Sequence, residues 1–211
     1  MSELPTTLTY YFPNRLVRIL LLAMHETVGK NGVSAVLNTA RLQHFLTQLP
    51  PPNFEPGLSF DEVGRFFQAL EGVYGVRSGR RLSWQMGRSC FKYGMEGLGG
   101  VVGVADFALR FLPVSLRVHV GLEVLTEILN RYGDQQIVLG EDEQYYSFIM
   151  QRPGLCWNRH TESPACALMV GLLEEMLYWV TRGQRFLVEE TTCQACGDPV
   201  CTIQISKATM D

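Results

Sequence analysis

Apolar residues recur every three or four positions through most of the first two thirds of the chain, the repeat of an amphipathic helix. Pro13-Asn14 opens one such run towards Val28, with Leu16, Ile19, Leu20 and Ala23 on one face. Gly32 restarts a second through Val33, Val36, Leu37 and Ala40 to Phe45, and Pro50-Pro51-Pro52-Asn53 is a loop. Ser59-Phe60-Asp61-Glu62 is a capping box, in which the serine hydroxyl and the glutamate each satisfy an amide left free at a helix start. The helix it opens turns Val63, Phe66, Phe67 and Leu70 inward. A further helix is expected over residues 81–93, preceded by Arg77-Ser78-Gly79-Arg80-Arg81 as a solvated loop. The glycines of residues 97–104 lack the dinucleotide-binding spacing and follow no strand, so they read as a packing turn. Pro113 then starts a long helix carrying Leu116, Val120, Leu122, Leu125, Ile128 and Leu129, which Gly133 is suited to cap.

After Gly133 the pattern shortens. Residues 136–140, 144–150 and 154–158 read as strands with turn residues between them. Ser163-Pro164 begins a helix that carries Cys166, Met169, Val170, Leu173, Met176 and Leu177 towards Gly183. Residues 185–192 and 200–206 form a last strand pair around the 193–199 turn. Helices first, then a mostly antiparallel sheet with one helix inserted before its last two strands, give the class α+β. The expected organisation is a tail over residues 1–12 and one domain over 13–211, with the sheet in 133–206.

Composition narrows the function. The 211 residues include 18 basic and 21 acidic side chains, a net charge of −3, which does not suit a nucleic-acid partner. Residues 1–11 lack the layout of a signal peptide. The most apolar stretch, Leu16 to Met24, is interrupted by Arg18 and is shorter than the roughly 20 residues of a spanning helix, so no membrane span is expected. The expected compartment is a reducing cytoplasm, where six cysteines point to metal or catalysis before disulfides.

Three of those cysteines, Cys193, Cys196 and Cys201, fall within nine residues around Gly197-Asp198, with Glu190 just before them. A tight turn presenting soft ligands is how a tetrahedral zinc site begins. Cys166, in the first turn of its expected helix where free amides favour thiolate, is the best fourth ligand. Spacing alone leaves several sets open: a knuckle using Cys193 and Cys196, a set using Glu190, Cys193 and Cys201, an iron–sulfur cluster, or unbound thiols.

Pro164-Ala165-Cys166, Gly171, Gly183 and the run Glu190-Thr191-Thr192-Cys193-Gln194-Ala195-Cys196-Gly197-Asp198-Pro199-Val200-Cys201 resemble the C-terminal signature of the 4-vinyl-reductase domain family. The resemblance covers about the last 50 residues and extends to sensor domains of phenol- and xylene-responsive activators, to a bacteriochlorophyll-biosynthesis protein and, by fold, to small subunits of a vesicle-tethering complex. It implies structural zinc on Cys166, Glu190, Cys193 and Cys201, with Cys196 unused, together with a buried pocket for a small apolar or aromatic molecule and a homodimer.

Trp84, Tyr145 and Trp157 are the candidate aromatic wall of that pocket, set between the helices and the sheet, and His119 is its candidate polar anchor. Cys90 and Cys156 read as small buried hydrophobes, His160 as loop, and Glu174-Glu175 as a solvated helix face. No catalytic triad, Cys–His pair or nucleotide loop is present. The leading expectation is therefore a zinc-stabilised binding module, a sensor or carrier. The alternatives are a protein that reduces or delivers a vinyl-bearing tetrapyrrole, and a dimeric scaffold. The reductase reading lacks a motif for a hydride donor.

Overall fold

The computed structural model describes residues 8–97 and 111–210. It is α+β, with five helices and two antiparallel sheets among the described residues. A short pair absent from the sequence reading, β1 (Tyr11–Pro13) with β2 (Pro56–Ser59), ties the start of the chain to the entry of the third expected helix. Tyr11 and Phe12, placed in the tail by sequence, thus belong to a strand.

The first two expected helices are one element, α1 (Asn14–Thr39), broken not at Gly32 but at Gly29, whose φ of 66° a side chain rarely tolerates. The stretch towards Phe45 is a separate 3₁₀ turn, Gln43–Leu46. α2 (Phe60–Tyr74) carries the capping box: Glu62 Oε2 accepts from the Ser59 amide at 2.8 Å, and Ser59 Oγ accepts from the Glu62 amide at 3.3 Å. α3 (Val76–Glu96) begins earlier than expected, so the arginine run at 77–81 is helix rather than loop. Arg80 explains this, since it binds Glu71 of α2 at 3.3 Å and also reaches Ser163. Apart from Gly97, the expected glycine turn over 97–104 lies outside the described residues.

α4 (Val114–Tyr132) follows Pro113 and ends at Gly133, which is extended rather than left-handed and closes the helix by donating to the Leu129 carbonyl at 3.2 Å. The main sheet has four strands, β3 (Gln136–Glu141), β4 (Tyr145–Arg152), β5 (Arg185–Thr192) and β6 (Cys201–Met210), ordered β3-β4-β6-β5 and antiparallel throughout. Tyr146, Phe148 and Met150 alternate inward on β4, opposite Ile205, Ile203 and Cys201 of β6. The strand expected at 154–158 is instead a buried loop. β4 already has both its neighbours, Gly154 lies against Phe12 and Phe60, and the buried Arg159 pairs with Glu71 at 2.8 Å.

α5 (Ala167–Thr181) starts after Cys166 rather than at Ser163-Pro164, because Ser163 is held in the loop by Arg80 and by Thr161 Oγ1, which donates to its carbonyl at 2.9 Å. α5 crosses α3 at a paired close approach. A Cβ on Gly87 would overlap the Leu168 carbonyl oxygen, and one on Gly171 would overlap the Trp84 carbonyl oxygen. Glu174 and Glu175, expected on a solvated face, flank this crossing: Trp84 Nε1 donates to Glu174 Oε2 at 2.9 Å, and Arg88 holds Glu175 at 2.6 Å. Among the described residues no helix is long and apolar enough to cross a membrane.

The crossing generates a paired expectation. Gly171→Ala should lower stability by about 3 kcal/mol, since backbone on both sides leaves no room to yield. Gly72→Ala, exposed in α2 with open space around its added Cβ, should raise stability by about 0.5–1 kcal/mol. Urea denaturation of the two variants measures both.

Candidate metal centre and ligand cavity

Four segments bring thiols to one buried point. Cys156 comes from the loop after β4, Cys166 precedes the first turn of α5, Cys193 follows β5, and Cys201 opens β6. Their Sγ atoms all lie within 4.8 Å of one another. Cys201 Sγ is 3.4 Å from Cys156, 3.8 Å from Cys166 and 3.9 Å from Cys193. A tetrahedral ion with metal–sulfur bonds of about 2.3 Å sets its sulfurs about 3.8 Å apart. The spacing therefore fits one ion held by four thiolates, and none of the six cysteines is in a disulfide.

The turn between β5 and β6 is shaped for this. Gly197 takes a φ of 100°, Asp198 Oδ2 accepts from the Cys193 amide at 2.8 Å, and the Gln194 amide donates to Cys201 Sγ at 3.2 Å. An amide aimed at sulfur favours thiolate. Hydrogen bonding to Cys156 pushes the Cys193 thiol down and the Cys166 and Cys201 thiols up, so without a cation the cluster retains protons that a metal must displace.

Of the sequence candidates, the structure brings Cys166, Cys193 and Cys201 together. Cys196 is exposed, with Thr161 Oγ1 3.7 Å from its sulfur. Glu190 lies beside the cluster, where its Oε2 accepts from the Cys166 amide at 2.7 Å and its Oε1 is buried without a hydrogen bond. Burial, and then the neighbouring Cys193 charge, push its carboxyl up to about 8. Cys156 is the residue that sequence reasoning missed. A cysteine between the turn signals Pro153-Gly154 and Asn158 was the available sign, hidden by the reading of that stretch as a strand.

A cavity of about 410 Å³ opens among α1, α3, α4 and α5 rather than between the helices and the sheet. Leu16, Leu20, Phe91, Leu125, Leu129 and Leu172 supply much of its wall, with Gln135 and Leu155 from the sheet side. Cys90 also faces it, a neutral thiol whose burial pushes it up to about 12. Trp84, His119, Tyr145 and Trp157 all lie away from this wall. Trp84 sits at the α3–α5 crossing, and Trp157 packs edge-on against Tyr10 and Phe60. Tyr145 opens β4, its amide donating to Asp142 Oδ1 at 2.7 Å. His119 lies between Glu123 and Glu141, at 3.2 and 3.3 Å.

Neither a family model nor a curated protein matches the chain. Solved structures share its fold. An H-NOX domain of T. tengcongensis superposes with a TM-score of 0.58 at 14% identity, over 95% of this chain and 100% of that one. An H-NOX protein from S. oneidensis, in its Fe(II)NO ligation state, gives 0.55 at 13% identity over 95% and 100%. The phenol-responsive sensory domain of the transcription activator PoxR, with phenol, gives 0.50 at 16% identity over 71% and 74%. The likeness is one of fold.

The cysteine geometry generates a sharp expectation. Cys156→Ser should cost about 4 kcal/mol, roughly 10 °C in melting temperature, and lower the bound metal as much as Cys193→Ser does. Cys196→Ser should change stability by no more than about 0.5 kcal/mol. Glu190→Gln should keep the metal. Elemental analysis and thermal melts of the four variants decide it, and metal lost from Glu190→Gln but kept in Cys156→Ser would restore the glutamate to the ligand set.

Proposed function

We propose that this chain is a small-molecule-binding module of the sensor type, taking a hydrophobic or aromatic molecule into the cavity among α1, α3, α4 and α5. The observation that carries this reading is the cavity itself, which at about 410 Å³ and with a largely apolar wall lies in the range of small-ligand sites. The PoxR sensory domain with phenol supports the ligand class. The similarity of the last 50 residues to the 4-vinyl-reductase signature supports the same reading.

Zinc is the metal this reading assigns to Cys156, Cys166, Cys193 and Cys201. All-sulfur tetrahedral sets suit zinc or iron–sulfur chemistry, and four sulfurs this close fit a single ion better than a cluster, whose thiolates bind separate irons. Four thiolates close the coordination sphere, so the role assigned to zinc is structural. Reduced thiols suit a reducing compartment. No observation among the described residues favours a tetrapyrrole, a vinyl reduction or a dimer over this reading.

Gly94 provides the test. It lies on the cavity wall in α3, and an added Cβ there meets nothing within 4 Å. Gly94→Leu should occupy part of the cavity, since its Cβ meets no neighbour, and add up to about 1 kcal/mol of helix stability. Titration with the neutral fluorophore N-phenylnaphthylamine should show saturable binding to the wild-type protein. Binding to the variant should be weaker by a factor of about ten or more, with no fall in melting temperature. Equal binding to both proteins would place the ligand elsewhere.

A further inference from the structure

The cavity wall has one polar feature without an explanation in the fold. Gln135 is 5% exposed and lines the cavity, and both Nε2 and Oε1 lack a hydrogen-bond partner among the described residues. Buried amides are ordinarily paired, because leaving donor and acceptor unsatisfied costs free energy. Its neighbours show that the local backbone is not loose. Asn130 exchanges two hydrogen bonds of 2.8 Å with Ile137, and Asp134 Oδ2 accepts from the Tyr11 amide at 2.8 Å. The turn between α4 and β3 is thus held on both sides, while Gln135 borders the cavity with its amide unpaired just behind the wall, where a turn of the side chain brings it to a ligand.

We infer that Gln135 is the polar anchor of the cavity and sets its specificity. The inference rests on the cavity being a ligand site, as proposed above. A primary amide presents an N–H donor and a carbonyl acceptor side by side. A ligand hydroxyl can answer both, donating to Oε1 and accepting from Nε2. An ether or a methyl group cannot donate to Oε1, and Arg15, the charged residue of the lining, is already committed to the Gly97 carbonyl at 2.8 Å and lies over the Phe54 ring, so a charged head would leave water for a largely apolar wall. The ligand class is therefore a neutral molecule with an apolar body and one hydroxyl. Its size is on the order of a dozen non-hydrogen atoms, if each takes about 30 Å³.

The test measures three rigid probes of one shape, para-phenylphenol, para-methylbiphenyl and para-phenylbenzoate, by displacement of N-phenylnaphthylamine from the wild-type chain and from Gln135→Leu. The wild type is expected to bind the phenol about tenfold more tightly than the methyl compound. In Gln135→Leu that preference should vanish while the methyl compound still binds. The ligand-free variant should also melt roughly 2–4 °C higher, because the unpaired amide is gone. The same phenol preference in both proteins, or tightest binding of the benzoate, would overturn the anchor and leave the cavity as a ligand site. Absence of binding by all three probes and the fluorophore would overturn both readings.

Discussion

Four sulfur atoms meet at one buried point, where the loop after β4, the start of α5 and the β5–β6 turn converge. Cys156, Cys166, Cys193 and Cys201 lie on four segments, and 45 residues separate the first from the last. The β5–β6 pair brings Cys193 and Cys201 close, but closing the loops that bring Cys156 and Cys166 to the same point costs entropy. A single ion bound by all four would overcome that cost and join the loop after β4, the start of α5 and the β5–β6 turn. The consequence reaches the cavity directly. Leu155, beside Cys156, and Leu168 and Met169, just after Cys166, are part of its wall. The proposed metal centre would therefore anchor one wall of the cavity while standing outside it.

The opposite wall is set by backbone contact. At Gly87 and Gly171 the helices α3 and α5 touch main chain to main chain. Further along α3, at Cys90, Phe91 and Gly94, the space among the helices stays open. Gly94 contributes to that opening, since its missing side chain leaves the volume free. A tight crossing followed by a gap is how close-packed helices can enclose a cavity without filling it. Gln135 borders this apolar chamber with its amide unpaired, a cost a folded chain carries more easily where a ligand removes it.

Much of the fold was legible because helical periodicity and turn chemistry are local signals. The capping box at Ser59 and Glu62, the long helix after Pro113 and the strand pair around the cysteine turn all follow from spacing. What was not legible depended on distant partners. The arginine run at 77–81 is helical because Glu71 and Ser163 receive Arg80. The apolar run at 154–158 looks like a strand, yet no strand edge is free beside β4, and it turns inward as a loop. That misreading concealed Cys156. The cavity was hidden for a related reason: its lining leucines and phenylalanines sit at the same helical spacing as core residues, and only the tertiary arrangement separates a wall from a core. Aromatic content drew attention instead to Trp84, Tyr145 and Trp157, which the fold places elsewhere.

The central claim is that one ion, bound only by sulfur, fixes this arrangement. X-ray absorption at the zinc edge of the purified protein tests it most directly, because the first coordination shell reads out both the identity and the distance of the bound atoms. The account predicts four sulfur scatterers at about 2.3 Å and no lighter atom in the shell. An oxygen scatterer at about 2.0–2.2 Å in place of one sulfur would put Glu190 in the ligand set instead of Cys156, and protein without zinc would contradict the account altogether.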